Sequence, residues 1–188
     1  MRLEPIKTSP SLLGKIMSFA IKKTYGKAFI STQLIYNRIS GMWWMMLITM
    51  RIEAKLEIER ELALLIHTAA STANGCRFCA DISRAQAVKE RIGVQRFNAL
   101  LEWEKSSVFT PAEKAALAYI EEINVSRNVC DATFALLKQH YSQQQIAAIT
   151  VQNAIANFHN VINIPMDLTE DGLETMALET LALETRTR

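Results

Sequence analysis

With 188 residues, 49% of them apolar, the chain is long enough for one ordinary domain with a packed core, which excludes disorder as its dominant state. Six Gly and four Pro are too few for the turns of an all-β sandwich or barrel, and they favour long helices. A net charge of +2 without one long basic run lacks the clustered footprint that nucleic acid needs, and three Cys do not make a disulfide framework.

Met1–Pro10 mixes charges and lacks the apolar stretch and small-residue cleavage site of a secretory signal, so a cytoplasmic protein is expected. Lys7, Lys15, Lys22, Lys23 and Lys27 make the N-terminal third mildly basic and read as a solvated helix face rather than a membrane contact. Ser11 to about Phe29 reads as a first helix with Leu12, Ile16, Phe19 and Ile21 buried. A second helix, from about Thr32 to Ile52, carries Trp43, Trp44, Met42, Met45, Met46 and Met50. It reads as a core or subunit-interface helix rather than a ligand pocket, because Met and Trp fill irregular apolar space. Its most apolar run, Met42 to Met50, is shorter than the roughly 20 residues that span a bilayer, so no membrane is expected as a partner.

A charged stretch, Arg51 to Glu61, leads into Leu62–Ala73, which is small and apolar nearly all round, as a buried helix is. Asn74-Gly75 supplies a stop, since both tolerate the left-handed backbone of a helix end. The next helix is expected from Cys76 to about Arg91. Thr110-Pro111-Ala112-Glu113 combines an N-cap, a proline at the first helical position and a Glu at the third, and opens a helix Ala112–Ile123. Asp131 is expected to cap a helix to about His140. Ser142 with Gln145 is a second capping box, opening a largely apolar, central helix to about Ile162. After Asp167, Leu-Glu-Thr recurs at 173, 178 and 183, a period of five that fits neither helix nor strand, so a frayed terminal helix and an arm on a neighbouring subunit both stand open. No segment alternates like a strand, and the fold class is all-α.

Cys76-Arg77-Phe78-Cys79 carries the chemistry. If Asn74-Gly75 ends one helix, both thiols lie in the first turn of the next, on one face, where the sulfurs can approach bonding distance. Free N–H groups and the positive end of the helix dipole favour thiolate, the nucleophile of thiol–disulfide exchange and peroxide attack. Two other readings compete. Zinc needs further ligands, and Cys130, His67, His140 and His159 are scattered without such a pattern, so no metal site is expected. Two inert buried cysteines are the other possibility. Cys130, beside a helix cap, reads as an incidental thiol.

Asn74–Asp81 resembles the redox segment of alkylhydroperoxidase D-like members of the carboxymuconolactone decarboxylase superfamily. Phe109–Tyr119 is similar to that family's next helix, and Ala156–Asn163 to its closing asparagine-rich helix end. The resemblance runs from 28 to 173, leaving residues 1–27 as an N-terminal helical extension and 174–188 as a tail. It implies an alkylhydroperoxidase D-like helical fold, assembled as dimers, trimers or hexamers, and no cofactor. It also implies that Cys79 attacks a hydroperoxide or small disulfide and that Cys76 resolves the product. A dithiol partner, lipoyl or thioredoxin-like, then reduces the pair through Cys76. The family's proton relay is not matched: the position of its histidine, four residues after Cys79, holds Ser83, and that of its glutamate, twelve before Cys76, holds Leu64. A serine passes a hydrogen bond but is no base near neutral pH, and a leucine does neither. His67, one turn after Leu64, is the candidate replacement base, with Glu61 to orient it. Asp81 faces elsewhere and is expected to cap or pair locally.

The leading functional reading is therefore a peroxiredoxin-type oxidoreductase, a weak hydroperoxidase or disulfide reductase. The alternative is a non-catalytic helical oligomer with remnant cysteines, and lactone decarboxylation ranks last because the decarboxylases generally lack this pair.

Overall fold

The computed structural model describes residues 2–39 and 41–186; Met1 of the extension, Ser40 of the expected second helix and residues 187–188 of the tail lie outside it. Its regular structure is helical throughout: α1 (Leu12–Tyr25), a π-helical turn (Thr32–Tyr36), α2 (Met42–Glu53), α3 (Arg60–Ala73), α4 (Arg77–Lys89), α5 (Val94–Asn98), α6 (Pro111–Ser126), α7 (Asp131–His140), α8 (Gln143–Asn163) and α9 (Leu173–Arg186). Short 3-10 turns follow α5 and α8. The all-α expectation holds, and among the described residues no helix is long and apolar enough to cross a membrane.

Local chemistry sets most of the boundaries. The Thr110 hydroxyl accepts from the Glu113 amide and the Glu113 carboxylate accepts from the Thr110 amide, closing the expected capping box of α6. Ser142 and Gln145 do the same for α8. At α7 the cap is Cys130, whose sulfur accepts from the Thr133 amide, so Asp131 is the first helical residue and not the cap expected of it.

The main core joins α3, α6 and α8 through Leu62, Leu64, Leu65, Ile66, Leu117, Ile120 and Ile149, with Phe97 of α5 buried among them. Leu65, Ile66 and Ile149 are fully buried, as the all-round apolar pattern of α3 requires. A second cluster surrounds α4, where Phe78 packs with Phe29, both cysteines, Leu173 and Ala177.

The N-terminal expectations fare differently. Leu12, Ile16 and Phe19 are exposed, and only Ile21 of the expected buried set packs inward, against the second cluster. The single helix expected over Thr32–Ile52 is broken. The π-helical turn ends at Asn37, and α2 starts afresh after Gly41, whose φ of +95° no continuing helix accommodates. Of α2, Trp43 and Thr49 are buried while Trp44, Met45, Ile48 and Ile52 face outward. Gly14 lets α1 approach this region, since a Cβ there would lie 2.5 Å from the Trp43 indole nitrogen.

The C-terminal repeats form a regular helix, and α9 packs on the chain's own α4. Asp81 holds it. The carboxylate of this buried residue accepts from the amides of Asp171 (2.9 Å), Leu173 (3.0 Å) and Glu174 (2.9 Å), an anion at the positive end of α9. The local cap expected of Asp81 is thus a long-range one, ninety residues away in sequence. Arg84 reinforces it by pairing with Glu174 at 2.6 Å. Asp81→Asn turns one acceptor oxygen into a donor facing these amides. It is expected to weaken the docking of α9 by about 2 kcal/mol, the scale of a lost charged hydrogen bond. Hydrogen exchange of the α9 amides should accelerate relative to α6, and equal protection in both proteins would refute the assignment.

Candidate active site

The Asn74-Gly75 stop is a Schellman turn. The Cys76 amide donates to the Ser71 carbonyl (2.8 Å) and the Gly75 amide to that of Thr72 (3.1 Å), with Gly75 left-handed at φ +73°. Nothing lies within 4 Å of a Cβ built on Gly75, so the backbone angle and not space demands glycine there. This reversal leaves Cys76 as the N-terminal flanking residue of α4 and Cys79 within its first turn. The two are joined as a disulfide with their Cα atoms 5.3 Å apart.

The pair lies inside the protein. Cys76 is 3% exposed and Cys79 7%. Beside Cys76 opens a cleft of about 350 Å³, lined by Ser71, Gly75, Arg77, Arg84 and Glu174 among others. Cys79 faces the end of α8, where Asn163 donates from Nδ2 to its Sγ at 3.3 Å. Ser31 donates in turn to Asn163 Oδ1 at 2.5 Å.

Ser83 is buried one turn after Cys79, but its hydroxyl does not bond the sulfur. It lies 2.9 Å from Thr68 Oγ1 and 3.1 Å from the carbonyls of Cys79 and Ala80, so its single proton returns to its own helix. Leu64 is core. Neither relay position of the family carries a titratable group.

His67 is part-buried, and its Nε2 lies 3.0 Å from Glu53 Oε1. Gln152 donates to the same oxygen at 2.9 Å. Burial alone would raise the Glu53 carboxyl, yet the hydrogen bond and charge of His67, with the hydrogen bond of Gln152, hold it below its ordinary value. Glu61, the expected orienting group, pairs with Arg96 instead. Among the described residues no hydrogen bond joins His67 to either sulfur. His159 extends this cluster, with Nδ1 3.3 Å from the Tyr36 hydroxyl. Desolvation pushes its pKa down to about 4, helped by the charge of His67 and opposed by that of Glu53, and burial pushes Tyr36 up to about 12. Both are neutral near pH 7 and share one hydrogen bond.

Cys130 is a free, exposed thiol whose sulfur lies 3.4 Å from Glu122 Oε1. Among the described residues no three His, Cys, Asp or Glu gather as metal ligands would.

Sequence reasoning missed Glu53, Ser31 and Gln152, and quoted Asn163 only within a resemblance. One signal was available. Asn153, Asn157, Asn160 and Asn163 recur at steps of four, three and three, a polar stripe on an apolar helix whose buried members must find partners.

The sequence profile of the carboxymuconolactone decarboxylase family matches residues 42–122, which include α3 and the cysteine pair. The YdfG protein of Bacillus subtilis (strain 168) is 32% identical over 111 residues, 58% of this chain and 76% of that protein. The chain belongs to the carboxymuconolactone decarboxylase family. Among solved structures it is similar to Atu0492 of Agrobacterium tumefaciens, described as a putative AhpD antioxidant defence protein. That match has a TM-score of 0.67 and 24% identity, covering 72% of this chain and 96% of that one. It is also similar to the debrominase Bmp8, as a cysteine-to-alanine variant in complex with 2,3,4-tribromopyrrole, with a TM-score of 0.80 and 20% identity over 94% of this chain and 95% of that one. The fold is alkylhydroperoxidase D-like, as the resemblance implied.

The sign of the His159 shift predicts a pH dependence of stability. The unfolded imidazole protonates near pH 6.5, whereas the folded one stays neutral to about 4. Its contribution is complete above 6.5 and is lost as pH falls through that window, at up to ~1.4 kcal/mol per pH unit. Urea denaturation of His159→Gln beside the parent should show a shallower loss of stability from pH 6.5 to 4. Parallel losses in the two proteins would contradict the burial argument.

Proposed function

We propose that the chain is a thiol-based redox protein that cycles Cys76 and Cys79 between dithiol and disulfide, with a hydroperoxide as the oxidant. The observation that carries this reading is the joined pair at the N-terminus of α4, where helix amides and dipole favour the thiolate. In the oxidative step the Cys79 thiolate attacks the terminal peroxide oxygen and the O–O bond breaks. The alcohol leaves with a proton and Cys79 becomes a sulfenic acid. The Cys76 sulfur then forms the S–S bond and expels hydroxide, which leaves as water.

Reduction requires two electrons from a dithiol, of lipoyl or thioredoxin type. The cleft beside Cys76 supports that sulfur as the point of entry. Leu64 in the core and the inward-bonded Ser83 support slow peroxide turnover, because no base stands at either relay position. Ser83 is then a positioning residue that fixes the backbone at Cys79, and His67 with Glu53 is the remaining acid–base pair, acting through solvent. A reducing, cytoplasmic setting suits such a reversible pair.

The same reading includes self-association. Leu12, Ile16 and Phe19 form one exposed apolar stripe, and Trp44, Ile48 and Ile52 another, at helical spacing on two helices in contact. Apolar stripes of this kind are unusual on a solvated surface and suit a second copy of the chain.

With dithiothreitol as electron donor, the parent should consume cumene hydroperoxide, and Cys79→Ser should lose at least 10-fold in rate, the scale of removing a nucleophile. Equal rates in parent and Cys79→Ser would end the hydroperoxidase reading, and release of bromide from a bromopyrrole by the parent alone would move the chemistry toward that of Bmp8. Light scattering of Ile48→Glu should report a smaller particle than the parent, whereas a parent already monomeric would remove the assembly from the account.

A further inference from the structure

The proton relay is empty at its expected positions, yet the sulfur of Cys79 is not without a polar neighbour. Asn163, the last residue of α8, directs Nδ2 at Cys79 Sγ from 3.3 Å. Ser31 fixes the other end of the amide, donating to Oδ1 at 2.5 Å. Ser31 is 5% exposed and Asn163 4%, so water does not compete freely for these bonds. The orientation of the amide follows from chemistry. A disulfide sulfur and a thiolate can only accept, so the group facing Cys79 must be N–H, and the carbonyl oxygen is left for the hydroxyl of Ser31.

We propose that Asn163 is the residue that holds Cys79 as a thiolate when the pair is reduced, with Ser31 as the positioning residue that aims the amide. The device differs in kind from a histidine–glutamate relay. It removes no proton; the Cys79 S–H ionises to solvent, and the amide stabilises the anion left behind. A hydrogen bond to a charged acceptor in a water-poor site is about twice as strong as a neutral one, so the contact strengthens on ionisation. The N-terminal dipole of α4 acts in the same direction. The proposal rests on Cys79 being a working thiol, but it concerns ionisation and is tested without turnover.

In a Cys76→Ser, Cys130→Ser background the ultraviolet absorbance of the thiolate reports Cys79 alone, whatever its accessibility to reagents. Asn163→Asp keeps the oxygen that accepts from Ser31 and replaces the N–H with an anionic oxygen. The titration of Cys79 should move upward, lowering the thiolate fraction near neutral pH by about tenfold or more. Ser31→Ala should move it the same way by less, because the amide is still present but no longer held. Circular dichroism establishes that each protein is folded. Titrations that coincide with the background protein in folded Asn163→Asp and Ser31→Ala would overturn the proposal. Should Asn163→Asp not fold, Asn163→Leu, which has similar bulk and no donor, carries the same test with Ser31→Ala under the same criterion. A protein that forms no reversible disulfide still yields this titration, so failure of the redox reading and failure of the thiolate assignment are separate results.

Discussion

Two sulfurs three residues apart can close on each other inside a protein only where the backbone turns sharply and a helix begins at once. The Schellman turn at Ser71–Cys76 meets that requirement. It ends the apolar α3, spends the left-handed conformation on Gly75, and starts α4 with Cys76 at its edge and Cys79 in its first turn. The consequences spread outward. Since α4 begins inside the molecule, it must be covered on its remaining sides. That explains the second apolar cluster built by Phe29, Phe78, Leu173 and Ala177, and the α9 helix laid along α4.

Burying a reactive pair this deeply exposes the surrounding polar groups to the cost of desolvation, and most of them are answered, with Asn160 Nδ2 and Asp171 Oδ2 left without a partner among the described residues. Thr68 meets Ser83, Ser71 meets Asn160, and Ser31 meets Asn163, which meets the sulfur. Asp81, a carboxylate two residues from Cys79, is stabilised by three amides at the start of α9. The sulfurs thus sit among helix ends and amides, with Arg77, Arg84 and Glu174 lining the cleft on the Cys76 side. The titratable cluster of Glu53, His67 and His159 stands apart, on the faces of α2, α3 and α8.

Much of this is legible in the sequence. The capping boxes at Thr110 and Ser142, the all-round apolar pattern of α3 and the Asn74-Gly75 stop are local signals, and local hydrogen bonds decide them. The cysteine pair was legible for the same reason. What failed was information that lives between elements. Periodicity gave α1 and α2 an apolar face but could not say whether a single chain covers it, and Leu12, Phe19 and Trp44 remain outside. Ser40-Gly41 is a turn signal inside a stretch that otherwise reads as one helix, and the left-handed Gly41 breaks the segment before α2. Asp81 and Glu61 were given neighbours in sequence, whereas their partners lie on α9 and on Arg96. The five-residue repeat of the tail follows no single helical face, yet Leu173 and Ala177, four apart, are buried against α4, and Leu181 packs beside them.

Whether Cys76 and Cys79 form a reversible intramolecular disulfide in the folded protein is open to direct measurement. Native-state mass spectrometry with peptide mapping tests it most directly: thiols are counted in the reduced protein, after one equivalent of an organic hydroperoxide, and again after dithiothreitol. Two thiols are expected to be lost as a Cys76–Cys79 bridge and to return in full on reduction, with Cys130 unchanged. Two thiols that survive the hydroperoxide in a protein that stays folded would contradict it, and would make the chain a structural member of its family.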